Sequence, residues 1–76
     1  MGGENVSHTY LFLKGFVLLR MNKPEKALYY LRRALKAERG HFQTMLGIGA
    51  ALSLIGDTDK AGWFIKRAIG IQPRDI

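Results

Sequence analysis

The residues able to do acid–base, nucleophilic or metal chemistry are few: two histidines, His8 and His41, a pair of turn aspartates, Asp57 and Asp59, and no cysteine. The histidines stand 33 residues apart with no ligand partners at metal-binding spacing, so no metal site is expected. Without cysteine there is no disulfide, thiol nucleophile or thiolate ligand. Asp57 and Asp59 follow Gly56 in a turn, where carboxylates start helices rather than act as a general acid and base. Gly47-Ile48-Gly49 matches part of a dinucleotide fingerprint, but no strand precedes it and no third glycine follows at the required place. No Ser/His/Asp set, Cys/His pair or phosphate loop is present. The chain is not expected to be an enzyme or to hold a cofactor.

The elements that would position any functional group come from an internal repeat. Laying 8–41 over 42–75, without a gap, gives six identities: Gly15/Gly49, Leu18/Leu52, Lys26/Lys60, Ala27/Ala61, Arg33/Arg67 and Ala34/Ala68. Leu11/Met45, Glu25/Asp59, Tyr29/Trp63, Tyr30/Phe64, Leu31/Ile65, Arg32/Lys66 and Leu35/Ile69 are close replacements. A period of 34 residues signals stacked pairs of helices, which present a curved surface to another chain.

Each unit reads as a helical hairpin. Leu11, Gly15 and Leu18 share one face of a first helix starting near His8, and Asn22-Lys23-Pro24 supplies the turn. A second helix runs from about Pro24 to Glu38, with Ala27, Leu31, Ala34 and Leu35 inward and Gly40 expected to end it. The second unit repeats the plan with Met45, Gly49 and Leu52, then a Gly56-Asp57 turn, then Ala61, Ile65, Ala68 and Ile69, with Pro73 as a stop. Gly15 is expected to face Ala27, and Gly49 to face Ala61, allowing close helix packing. The fold class is therefore all-α, two tandem hairpins. Residues 1–7 form a flexible leader, residues 8–41 the first repeat and residues 42–75 the second.

These residues resemble the tetratricopeptide repeat. The resemblance rests on Leu11-x2-Lys14-Gly15-x2-Leu18 followed by Ala27-x3-Leu31-x2-Ala34, and on Met45-x2-Ile48-Gly49-x2-Leu52 followed by Ala61-x3-Ile65-x2-Ala68 and Pro73. The first unit departs from the pattern at Leu11, where the family has Trp, at Lys14, where it has Leu, and at Arg39, where it has Pro. The segment Tyr10–Leu31 is more weakly similar to the small tetratricopeptide chaperones of bacterial type III secretion. The resemblance implies that the first helix of each repeat lines a concave groove, which here would comprise Phe12, Phe16, Leu19, Arg20, Leu46, Ala50 and Ser53.

The apolar patterning agrees with an open face. The first helix carries Phe12, Phe16 and Leu19 beside its inner stripe, and Phe42–Gly56 holds 15 residues without a charge. Either a partner covers this second face or the two phenylalanines fill core between neighbouring helices. A groove with Phe12 and Phe16 does not suit a carboxylate clamp; it suits an apolar peptide or helix. The last helix, with Trp63, Phe64, Ile65, Ile69 and Ile71, carries more apolar surface than its inner stripe needs and predicts self-association or an obligate partner.

The chain has 76 residues, with twelve Lys and Arg against six Asp and Glu, a net charge of +6. Lys26, Arg33, Lys60 and Arg67 form a stripe widened by Arg32, Lys36, Arg39 and Lys66. A solvated helix face explains this stripe; an acidic protein or phosphates would be the functional alternative. Aromatics do not interleave with it as a base-stacking surface requires, so nucleic acid is not the expected partner. No signal peptide and no membrane span are visible, and a cytoplasmic location is expected. The leading functional reading is a protein-interaction module, an adaptor or small chaperone binding an apolar segment. Its rival is a self-associating, truncated or designed repeat fragment with a structural role, and a basic nucleic-acid-binding domain comes third.

Overall fold

The computed structural model describes residues 7–71. Four helices, α1 His8–Arg20, α2 Pro24–Ala37, α3 Phe42–Ile55 and α4 Thr58–Ile71, form two helix-turn-helix hairpins, with no strand among the described residues. Residues 1–6 of the expected leader and the stop at Pro73 lie outside the described residues, as does the side chain of Ile71. Ser7, the last residue of the expected leader, adjoins α1. Its Oγ accepts from Tyr10 N at 3.2 Å and caps α1.

The two turns are built alike. Asn22 (φ 61°) and Gly56 (φ 106°) occupy equivalent places and both adopt the left-handed conformation, which Asn tolerates and Gly takes at no steric cost. The next residue closes the helix end in each case, Lys23 N donating to Leu18 O and Asp57 N to Leu52 O, both at 2.9 Å. The second helix then starts on Pro24 in one hairpin. In the other, Asp57 Oδ1 accepts from Lys60 N at 3.2 Å, as its position predicted. Between the hairpins α2 stops within one residue of the expected Glu38, but Gly40 is not what ends it. Gly40 does not take a positive φ, and α2 ends earlier, at Ala37, where Glu38 turns the backbone to an extended conformation.

The core consists of Ala27, Leu31, Ile48, Leu52 and Ala61, with Phe12, Leu18, Leu19, Leu28, Leu35 and Phe64 packed against it. The glycines permit this packing, though against different atoms from those expected. A Cβ at Gly15 would lie 2.5 Å from Leu31 Cγ, with Ala27 contributing its carbonyl oxygen at 3.3 Å rather than its methyl. Gly49 repeats the contact, 2.7 Å from Ile65 Cγ1 and 3.3 Å from Ala61 O. Each glycine is thus a socket for the side chain four residues after the alanine. Gly47 has no glycine counterpart in the first hairpin, and a Cβ there would lie 3.2 Å from Leu31 Cδ1, reached from the second hairpin. It fixes how the hairpins stack.

α3 packs against α1, α2 and α4. That central position explains its lack of charge: Thr44, Met45, Gly47, Ile48, Gly49, Ala51 and Leu52 are all buried within the chain itself. The molecule measures 38 × 29 × 17 Å. Every helix keeps a solvent face, each carrying exposed residues along its length.

Candidate functional site

Three surfaces concentrate chemistry or unshielded apolar area: the outer side of α1 and α3, the cleft between α2 and α4, and a polar cluster at the start of α1 and α3. The first contains the residues singled out from sequence. Phe12/Leu46, Phe16/Ala50 and Leu19/Ser53 are equivalent pairs on adjacent helices. Phe16, Arg20, Leu46, Ala50 and Ser53 are exposed. Phe16 is 45 % and Leu46 37 % accessible, more than a residue that fills core would retain. Phe12 and Leu19 are half-buried and pack on the core, so for these two the core-filling reading describes what they touch. Phe12 still continues the surface, its ring stacked 6.2 Å from that of Phe16.

The departure at Lys14 has a local reason. Its side chain lies along α1 with Nζ 4.9 Å from the Tyr30 ring centroid and donates to the Tyr10 hydroxyl at 3.4 Å. The methylene stem covers apolar surface where a leucine would sit, while the charge stays over the Tyr10 and Tyr30 rings and in water. That hydrogen bond, and then the nearness of Tyr10 and Tyr30, raise the Lys14 pKa above its ordinary value.

The second surface is a cleft of about 800 Å³ between α2 and α4, whose backbones do not approach each other closely. Leu28, Leu35, Met45 and Phe64 form its floor, being buried or half-buried, and exposed cations and aromatics form its rim. Aromatics do meet the basic stripe: the Arg33 guanidinium lies 5.6 Å from the Tyr29 ring and that of Arg67 5.0 Å from the Trp63 ring. The signal was the four-residue spacing, repeated in both hairpins, which places the two side chains together on a helix surface.

The third surface brings together the two histidines that the sequence seemed to separate. His8 Nε2 lies 3.2 Å from Thr44 Oγ1, and His41 Nδ1 lies 2.7 Å from the same oxygen. Thr44 N donates to His41 Nδ1 at 3.2 Å, making His41 the N-cap of α3. That bond requires an unprotonated Nδ1. The Thr44 hydroxyl then donates to His41, and His8 Nε2–H donates to the hydroxyl oxygen. Rings complete the cluster, His8 meeting His41 edge-on at 4.5 Å and Phe12 meeting His41 at 5.1 Å. Burial first, and the nearness of His8 second, lower the His41 pKa below its ordinary value, while Glu38 opposes them. The repeat itself held the clue. Residues 34 apart are equivalent on adjacent hairpins, so residues 33 apart are neighbours at the same end.

A hydroxyl flanked by two imidazoles has the composition of an activated nucleophile. Its setting differs from one, because Thr44 is fully buried and its hydrogen bonds join the N-terminal ends of two helices. Among the described residues, no three His, Cys, Asp or Glu side chains gather as a metal site would require. No helix of the described residues is long and apolar enough to cross a membrane. Comparison with protein-family models, curated proteins and solved structures finds no match to this chain.

Proposed function

We propose that this chain is a protein-interaction module of tetratricopeptide type, an adaptor or small chaperone that holds an apolar peptide or helix along the outer side of α1 and α3. The observation that carries the reading is the exposure of Phe16 and Leu46 on adjacent helices whose inner faces are already packed. Arg20 and Ser53 give that strip a polar end, and Ala50 leaves room beside Phe16 for a guest side chain. The reading assigns the chain to the cytoplasm and gives it no catalytic role, in keeping with a Thr44 hydroxyl spent on joining helices. A second reading, self-association through α4, is favoured by Trp63 and Ile69, which are 54 % and 61 % accessible.

The test uses a net-neutral amphipathic peptide of Leu, Ala and Gln, titrated into the isotope-labelled chain. Amide shifts are expected to cluster at Phe16, Leu46, Ala50 and Ser53, and Phe16→Asp should abolish them while helicity by circular dichroism is kept. Absence of binding, or shifts confined to other helices, would overturn the reading. Size-exclusion chromatography with light scattering examines the second: dissociation of an oligomer by Ile69→Lys supports it, and a wild-type monomer at every concentration removes it.

A further inference from the structure

The cleft between α2 and α4 lies away from the α1/α3 surface and has a different chemistry. Five of its lining residues are cations, Arg32, Arg33, Lys36, Arg39 and Arg67, against a single carboxylate, Glu25. Among the described residues the ion pair formed is Lys60 with Asp57, outside the cleft, so none of these five is neutralised by a partner within ion-pair distance. Helix (i, i+4) positions are where sequences commonly place compensating acids. Here Tyr29 and Trp63 precede Arg33 and Arg67 by four residues instead. A guanidinium resting on an aromatic ring loses side-chain freedom but keeps its in-plane N–H donors available for a carboxylate.

Beneath this rim the floor is aliphatic and aromatic: Leu28, Leu35, Met45 and Phe64. The volume, about 800 Å³, falls within the range of roughly 300–1,000 Å³ typical of sites that enclose a ligand. An inorganic anion would use the rim and leave the floor unused. A single-stranded nucleic acid would need open ring faces for its bases. Each candidate ring is already engaged twice, by its own arginine and by an edge contact from the neighbouring residue, Tyr29 with Tyr30 at 5.0 Å and Trp63 with Phe64 at 4.9 Å. An occupant matching both rim and floor carries carboxylates beside a branched aliphatic side chain.

We propose that the α2/α4 cleft is a second docking site, taking an acidic segment of a partner protein whose Glu or Asp residues flank a Leu or Ile. The aliphatic side chain enters over Leu28, Leu35 and Phe64. The flanking carboxylates meet Arg33 and Arg67 from either side. Lys36 and Arg39 draw the segment in from a distance, which makes association sensitive to ionic strength.

Trp63 is the sole tryptophan and lines the cleft, so its fluorescence reports occupancy directly. The experiment titrates the full chain with three probes: a peptide of alternating Glu and Leu, a peptide of alternating Glu and Gly with equal charge, and oligothymidylate. The Glu/Leu peptide should shift Trp63 emission, bind about tenfold more tightly than the Glu/Gly peptide, and weaken as salt rises. Arg33→Ala with Arg67→Ala should weaken it by about tenfold or more, a loss expected where arginines anchor a ligand. Arg33→Lys with Arg67→Lys keeps the charge and should recover only part of the affinity, because the planar fork is gone. Phe16→Asp should leave this binding unchanged, which separates failure here from failure of the α1/α3 reading. No Trp63 response to the Glu/Leu peptide at low salt would overturn the proposal. So would equal binding of the two peptides, which means charge alone, or tighter binding of oligothymidylate at the same arginines.

Discussion

Leu31 and Ile65 hold the same place in the two hairpins, each seated on a glycine of the preceding helix, yet their surroundings differ. Leu31 is fully buried, clamped by Gly15 from its own hairpin and by Gly47 from the next. Ile65 meets Gly49 in the same way but is only half-buried, with no described helix packed on its far side. One motif therefore yields an inter-hairpin keystone in the middle of the stack and a surface residue at its end. The comparison separates what the 34-residue pattern encodes, the hairpin, from what neighbours add, the stacking.

The largest expected effect follows from that contrast. Leu31→Ala should cost about 2–5 kcal/mol, the range for a buried leucine that leaves a cavity, and in so small a domain this approaches the whole stability. Ile65→Ala should cost about 1–2 kcal/mol, because part of its surface is already wet and the site can relax. Urea unfolding followed by far-ultraviolet circular dichroism measures both. Equal losses would mean that Leu31 does not bridge the hairpins.

The glycines sharpen the same contrast at smaller magnitude. Gly15→Ala drives a methyl into a leucine held on two sides and should cost about 1–3 kcal/mol. Gly49→Ala presses on Ile65, which can swing outward, and should fall close to neutral. Gly62→Ala is the control: nothing lies within 4 Å of its Cβ position, so it measures helix propensity alone and should stabilise by up to about 1 kcal/mol. Subtracting that gain from the other two gives the steric term at each socket. A Gly15→Ala variant as stable as Gly62→Ala would show that Leu31 can move after all.

The repeat made the fold legible. Four helices, the turn at Asn22, the Pro24 and Asp57 starts and the buried Ala27, Leu31, Ala34, Ala61 and Ala68 of the inner stripes follow from periodicity and turn chemistry, which are local; Leu35 and Ile65 of those stripes are only half-buried, and Ile69, expected inward, is 61 % accessible because no described helix covers that side of α4. The link between hairpins did not follow, because a histidine cap looks like no standard cap and Gly40 looked like a helix stop. The surfaces were legible only in part. An amphipathic count over α3 marks it as needing cover, yet cannot tell that three neighbouring helices supply most of it. Phe12 and Phe16 share one pattern but differ in depth, since only Phe12 reaches the histidine cluster at the hairpin junction. Cation–aromatic pairing within α2 and α4 was readable at four-residue spacing, whereas the cleft they border depends on a gap between helices that no sequence pattern states.

The smallest expected effect tests whether the junction between the hairpins differs from the turns within them. The internal turns rest on backbone hydrogen bonds and a carboxylate cap, whereas the junction rests on a neutral imidazole, so only the junction should respond to mild acid. Burial and His8 hold His41 below its ordinary value of 6.5 in the folded chain, despite Glu38, so the unfolded state takes up more protons as pH falls through that value. The stabilisation is thus complete above the unfolded pKa and is lost progressively below it, down through the lowered folded value. His41→Asn keeps an N-cap acceptor and removes the titration; it should match wild-type stability near neutrality more closely than His41→Ala, which should lose about 1 kcal/mol with the cap. Below pH 6.5 wild type should weaken while His41→Asn loses less. Parallel pH profiles for wild type and His41→Asn would show that the imidazole cap is not what acid releases.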